Sequence, residues 1–210
     1  MQIEKHGGQL SEGPAGILVC IVDDSYGKPN DLDETVLYDE FKTELEEEFE
    51  QSFEEVDVAP GYSVPAFATL IQAITDYWPY LIATFFLAKP VSENLDVWIS
   101  IAKSIRKYFV RSDIVLGRNA AAVLALEAVI VELGEMPKSI MCNGYYWTDI
   151  RFEGEELGEI DKKSIQDGPR TEYLCMAKQI FRIEADGINF EVSVEGKSVS
   201  AKRIKQSSSE

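Results

Sequence analysis

Histidine is almost absent from this chain, and its scarcity excludes several kinds of chemistry. The only one among 210 residues is His6, which lies in a glycine-containing N-terminal stretch that we predict to be a flexible lead-in over residues 1–15. A catalytic histidine has to be held rigidly at its substrate. Ser-His-Asp and Cys-His catalysis, HExxH zinc sites and two-histidine iron sites are therefore excluded. We expect no catalytic residue and favour a non-enzymatic protein.

Two glycine motifs of nucleotide-binding proteins are also missing. Gly27 and Lys28 are adjacent, but the upstream glycine and the following Ser or Thr of a P-loop are not present. No GxGxxG sequence follows the first predicted strand, so the dinucleotide-binding fingerprint is absent as well.

Cysteines and long apolar runs are few. Cys20, Cys142 and Cys175 are widely spaced and odd in number, which argues against a disulfide framework or a zinc knuckle. We predict buried thiols in a reducing compartment. The longest apolar runs, 80–88 and 120–131, are too short to span a bilayer, and the N-terminus has no apolar core of signal-peptide type. We therefore expect a cytoplasmic protein without a membrane partner.

Positive charge is scarce: 37 acidic residues stand against 20 Lys and Arg, for a net charge of -17. Phosphate binding needs a basic face, so DNA and RNA are disfavoured as ligands, as is an anionic membrane surface. Solubility alone explains many acidic surfaces. The other possibilities are cation binding and a basic protein partner, which is attracted over a distance.

Residues 31–57 hold the densest negative charge. The stretch reads DLDETVLYDEFKTELEEEFEQSFEEVD, in which thirteen residues are acidic and Lys42 is the only base. An apolar row with a spacing of four runs through it: Leu37, Phe41, Leu45, Phe49 and Phe53. That spacing predicts a helix with one buried face and carboxylates on the other, capped by Asn30 or Asp31.

This predicted helix has an interaction hypothesis and a simpler alternative. Seven acidic residues within 44–55 repel one another at helical spacings, by roughly a few tenths of a kcal/mol per pair. A basic partner would relieve that repulsion. The predicted partner-binding residues are Glu46, Glu47, Glu50 and Glu54, with Glu155 and Glu156 from a polar loop at 154–170. The alternative is a helix whose acidic face is only solvated.

Asp23 and Asp24 are the candidate metal site. They follow the apolar run 16–22, and ligands of open α/β sheets bind outside the carboxyl ends of strands. Two adjacent carboxylates suit Mg²⁺, which is the one cofactor that the sequence suggests. The alternative is a polar turn after a strand.

The sequence predicts an α/β protein, α+β overall, in two regions. Residues 16–136 are expected to form alternating β/α units with a largely parallel sheet. There, 63–78 resembles a helix by its apolar spacing, 80–88 a central strand, and 92–109 and 119–134 two more helices, the last capped by Asn119.

Residues 137–204 are predicted to form an antiparallel β meander packed on, or continuing, the same sheet. Asn143-Gly144 indicates a hairpin, and strands are expected at 173–183, 188–194 and 198–204. Residues 205–210 are expected to be a disordered tail.

Three functions fit these observations. The favoured one is an acidic, non-enzymatic binding protein that neutralises a basic protein partner, such as an immunity protein against a bacterial toxin. The first alternative is a Mg²⁺-dependent or nucleotide-handling α/β enzyme or sensor that uses Asp23 and Asp24. The second is a structural or oligomeric subunit.

Overall fold

The computed structural model describes residues 5–6, 9–10, 16–23, 34–58, 65–71, 76–111, 113–150 and 168–204. The strands are β1 (Lys5–His6), β2 (Gln9–Leu10), β3 (Ile17–Val22), β4 (Glu54–Val56), β5 (Ala66–Ile71), β6 (Ile114–Leu116), β7 (Ile140–Asp149), β8 (Ala177–Ala185), β9 (Ile188–Glu195) and β10 (Ser198–Ile204). The helices are α1 (Glu34–Phe49), α2 (Trp78–Phe86), α3 (Leu95–Arg106) and α4 (Arg118–Leu133). Short 3-10 helices follow α3 at Lys107–Val110 and precede β8 at Thr171–Met176.

The first large sheet has the strand order β4-β5-β3-β6. Ile17 of β3 lies opposite Ile71 of β5, and the pairing runs antiparallel to Val22 opposite Ala66. The predicted buried strand at 16–22 is confirmed as β3. Both of its faces are covered, since Val19 belongs to the main core and Leu18 to a smaller apolar cluster on the other side.

The predicted β/α units with a largely parallel sheet are wrong. Every strand pair in the described ranges is antiparallel. Two neighbouring segments caused the error, because their secondary structures were predicted the wrong way round. The stretch predicted as a helix contains β5, and the stretch predicted as the central strand contains α2.

The physical reasons for this exchange are local ambiguity and burial. Phe67 and Ile71 have a helical spacing, but β5 is covered on both faces, which removes the alternation that identifies a strand. Residues 80–88 are an apolar run of a length that suits either a strand or a buried helix. Pro79 lies at the start of α2, a position that favours proline, instead of ending a preceding helix.

The second sheet is an antiparallel meander in the order β10-β9-β8-β7. The predicted strands at 188–194 and 198–204 are confirmed as β9 and β10. The predicted hairpin at Asn143-Gly144 is wrong, because β7 runs straight through it. Its pairing with β8 shifts between Cys142 and Gly144, so the Asn143 region forms a β-bulge instead of a turn.

Helix α4 packs between the two sheets. It contacts β3 and β6 on one side and β8, β9 and β10 on the other, and most of its side chains are buried. The predicted helix is confirmed, and Gly134 ends it with φ of 78°, a left-handed conformation that favours glycine. The predicted cap is wrong. Gly117 precedes the helix, while the Asn119 side chain donates a hydrogen bond to the Gly16 carbonyl over 2.8 Å.

A buried glutamine also links the two sheets. The Gln179 amide nitrogen donates to the Leu116 carbonyl over 2.8 Å, and its oxygen accepts a hydrogen bond from the Tyr145 hydroxyl over 3.0 Å. β8 is thereby bonded to β6 of the first sheet, so the two sheets share one core. No helix in the described part of the chain is long and apolar enough to cross a membrane.

Candidate protein-binding surface

Helix α1 has one apolar side and one acidic side. Phe41 and Leu45 are buried in the core, and Tyr38 and Phe49 pack against it. The opposite side exposes four carboxylates at spacings of four, three and three residues. We call this set the acidic face: Glu40, Glu44, Glu47 and Glu50. The predicted apolar row is confirmed for Phe41, Leu45 and Phe49, but the helix ends at Phe49.

Aromatic contacts fix the orientation of α1. The rings of Tyr38 and Phe41 lie 4.9 Å and 5.6 Å from the ring of Phe67 on β5. Near the other end of the helix, Phe49 lies 4.6 Å from Tyr108. Because both ends are held, the helix cannot rotate without exposing these rings, and the acidic face remains turned outward.

Glu46 was a predicted partner-binding residue, but the structure gives it a role within the chain. Its Oε1 accepts a hydrogen bond from the backbone N–H of Phe53 over 3.0 Å. The Lys42 ammonium lies 4.0 Å from the same oxygen, one turn earlier on the helix. Glu46 therefore stabilises the connection from α1 to β4.

Glu48 is neutralised by Arg111. The Arg111 Nε donates to Glu48 Oε2 over 2.7 Å, and the guanidinium also lies 5.6 Å from the ring centroid of Phe41. This arginine comes from the segment after α3, 63 residues along the chain. Glu48 therefore has a cationic partner that the local sequence does not reveal.

The other predicted partner-binding residues have different environments. Glu47 and Glu50 are exposed. Glu54 is half-buried at the start of β4, opposite Ala68. Glu155 and Glu156 lie outside the described residues.

Glu40 and Glu44 belong to the acidic face, although the sequence analysis did not single them out. Both lie opposite the apolar row, so the 3.6-residue helical period contained the signal. A helical projection of residues 34–49 would have found them and would have turned Glu46 away from the centre of the face.

The position of these carboxylates on the helix is electrostatically unfavourable. The last turn of α1 contains no basic residue, and the C-terminal end of a helix has a partial negative charge. No ion pair is found for any of the four residues of the acidic face among the described side chains. Their charges repel both one another and the helix end.

Glu50 adds backbone strain at the end of α1. Its φ is 52°, a left-handed conformation that glycine or asparagine adopts more readily. A glutamate at this position costs stability through its backbone as well as through its charge.

Acidic residues elsewhere have basic neighbours. Glu191 lies 3.7 Å from Arg182 across two strands, and Glu127 lies 2.8 Å from Arg106 between two helices. Arg203 reaches Glu132 over 3.6 Å. The negative charge of the described chain is thus concentrated on α1 and β4, whereas the second sheet mixes both signs.

Tyr38 lies at the edge of the acidic face. Burial raises its pKa to about 12, and a hydrogen bond with Glu55 and the negative charges of Glu55 and Asp39 add to the shift. The phenol is therefore a neutral donor, and Glu55 is an acceptor held beside α1.

The predicted Mg²⁺ site is only partly described. Asp23 is 2% exposed at the end of β3, and its backbone N–H donates to the Pro65 carbonyl over 2.9 Å. Asp24 lies outside the described residues. In the described ranges, no group of three or more His, Cys, Asp or Glu side chains is arranged to hold a metal. The Mg²⁺ hypothesis stays a prediction, which a Mg²⁺ titration of the wild type and an Asp24→Ala variant would test.

Comparisons with protein-family models, with curated proteins and with solved structures found no significant match for this chain.

Proposed function

We propose that this protein binds a basic protein through the acidic face of α1 and thereby neutralises it, in the manner of an immunity protein that blocks a bacterial toxin. The observation that carries the proposal is the exposed row of carboxylates on α1, for which the described part of the chain offers no counter-charge.

The geometry of the row suits a protein surface better than a single ion. The helix rises about 1.5 Å per residue, so the row from Glu40 to Glu50 is about 15 Å long. That length spans several Lys or Arg side chains of a partner. A basic cleft that normally holds a polyanion presents such a row of cations.

Binding would also relieve the repulsion on α1. Each partner cation that approaches two neighbouring carboxylates replaces a like-charge contact by two favourable ones. The net charge of -17 attracts a basic protein from a distance, which raises the association rate at low ionic strength.

The aromatic anchoring of α1 supports rigid docking. Helix α1 is held by rings at both ends, so its carboxylates are pre-positioned and little side-chain and backbone order has to be created on binding. We further propose a cytoplasmic location, which is supported by three cysteines that form no disulfide.

A matched pair of variants tests the proposal. The first replaces Glu40, Glu44, Glu47 and Glu50 by Gln. The control replaces four exposed acidic residues elsewhere by their amides: Glu93, Asp113, Glu135 and Glu195. Both carry the same net charge, so they separate the position of the charge from its amount.

The experiment is capture of partners from a lysate of the native host on immobilised wild type and on both variants. We expect wild type and control to retain the same basic protein and the α1 variant to lose it. Equal retention by all three, or no basic protein in any eluate, would contradict the proposal.

A further inference from the structure

Helix α2 has an exposed apolar side. Its inner side buries Trp78, Leu81, Ile82 and Phe85, and the helix contains no charged residue. On the outer side, Tyr77, Tyr80 and Leu87 are 69%, 71% and 64% exposed. Large side chains exposed together in this way mark an interaction surface more often than an ordinary solvated face.

The outer residues form one line along the helix. Asp76, Tyr80, Ala83 and Leu87 follow each other at spacings of four, three and four, and all are exposed. We call them the α2 stripe. This spacing is that of the seam between two packed helices. The small Ala83 in the middle allows a second helix to approach closely.

The two ends of the stripe have opposite charges. Asp76 lies just before the helix, and Lys89 lies shortly after it. If two α2 helices pack antiparallel with a two-fold axis at Ala83, each Tyr80 lies against Leu87 of the second copy. Asp76 then lies beside Lys89 of the second copy, and the same contact occurs again at the other end. The stripe is thus complementary to itself, as a two-fold interface requires.

We propose that the α2 stripe is the contact between two copies of this chain in an antiparallel dimer. A second copy fits better than a basic protein, because a basic partner would meet Lys89 and find only one carboxylate along the stripe. Two chains of net charge -17 repel each other over most of their surfaces. A charge-free helix with one opposite charge at each end is the place where that repulsion is smallest.

Charge exchange tests the pairing directly. Sedimentation velocity over a range of protein concentrations should show a monomer–dimer equilibrium for the wild type. Asp76→Lys alone and Lys89→Asp alone each place like charges together twice per dimer, and we expect each to weaken self-association about tenfold. The double exchange should restore it. A wild type that is monomeric at all concentrations, or a double variant as weak as the single ones, would overturn the proposal.

A cross-link tests the position of the two-fold axis. Ala83→Cys should form a disulfide-linked dimer upon mild oxidation, because the two thiols would face each other. Ser200→Cys, an exposed control on β10, should stay monomeric. The native thiols of Cys20 and Cys142 are buried, which limits the background. Equal cross-linking of both variants, or cross-linking of the control alone, would show that the copies do not meet at α2.

Discussion

Removing the charges of the acidic face should stabilise the folded protein. The variant is the fourfold Gln substitution of Glu40, Glu44, Glu47 and Glu50. Glutamine keeps the size and the helix propensity of glutamate almost unchanged. The substitution therefore tests charge with little change in packing.

The magnitude follows from the spacings on α1. Three adjacent pairs, Glu40–Glu44, Glu44–Glu47 and Glu47–Glu50, each contribute about 0.2–0.5 kcal/mol of repulsion. Glu47 and Glu50 also oppose the negative helix end, at about 0.3–1 kcal/mol each at low ionic strength. The expected gain in unfolding free energy is about 1–3 kcal/mol. For a chain of this size, each kcal/mol raises Tm by about 2–4 °C.

Urea denaturation at low and at high salt measures this gain. The screening length falls from about 30 Å at 0.01 M to about 3 Å at 1 M salt, so the gain should shrink as salt is added. Glu48→Gln is the internal control. It removes the partner of Arg111, and we expect it to lower stability slightly or leave it unchanged.

The reasoning would be refuted if the fourfold variant were no more stable than the wild type at low salt. That result would mean that the carboxylates of the acidic face are already compensated within the chain. The strain that a basic partner is proposed to relieve would then not exist.

Three further predictions concern the core. Gln179→Leu should cost about 1–3 kcal/mol of unfolding free energy, because it leaves a buried carbonyl and a hydroxyl without their partner; chemical denaturation measures this. Leu45→Ala should cost about 2–5 kcal/mol in the same assay, since Leu45 is fully buried, and Leu37→Ala, at a half-buried position, should cost clearly less. Burial raises the pKa of both the Cys142 thiol and the Tyr108 phenol to about 12, so the unfolded chain releases these protons first. Stability should therefore be complete below about pH 9 and fall as the pH rises towards 12, and urea midpoints that do not fall over this range would contradict it.

Local sequence signals were sufficient for several elements. The near-continuous apolar character of α4 and the glycine at its end identify a buried helix. Asp186-Gly187 supplies two residues with positive φ, which a tight hairpin turn between β8 and β9 requires. In each case the signal is contained within the element and its boundary.

The errors arose where distant contacts decide the structure. The apolar run at 80–88 suits a helix or a strand, and the choice follows from how Trp78 and Phe85 pack against Trp98 of α3. Strand direction in the first sheet likewise depends on pairings between β3 and segments up to a hundred residues away.

The candidate surface was located by sequence, but its composition was not. The apolar row identified α1 and its buried side. The tasks of Glu46 and Glu48 depend on Phe53 and Arg111, which lie outside the helix. A charge run therefore shows where negative charge is concentrated, and only the fold distinguishes the carboxylates that are engaged from those of the acidic face.

The most direct test of the central claim is the affinity for the captured basic protein as a function of salt. Titration calorimetry from low to high ionic strength should show a wild-type affinity that falls steeply with salt. The fourfold Gln variant should bind more weakly and with a smaller salt dependence, whereas the charge-matched control should behave as the wild type. An affinity indifferent to salt, or one that the fourfold variant retains in full, would contradict the account.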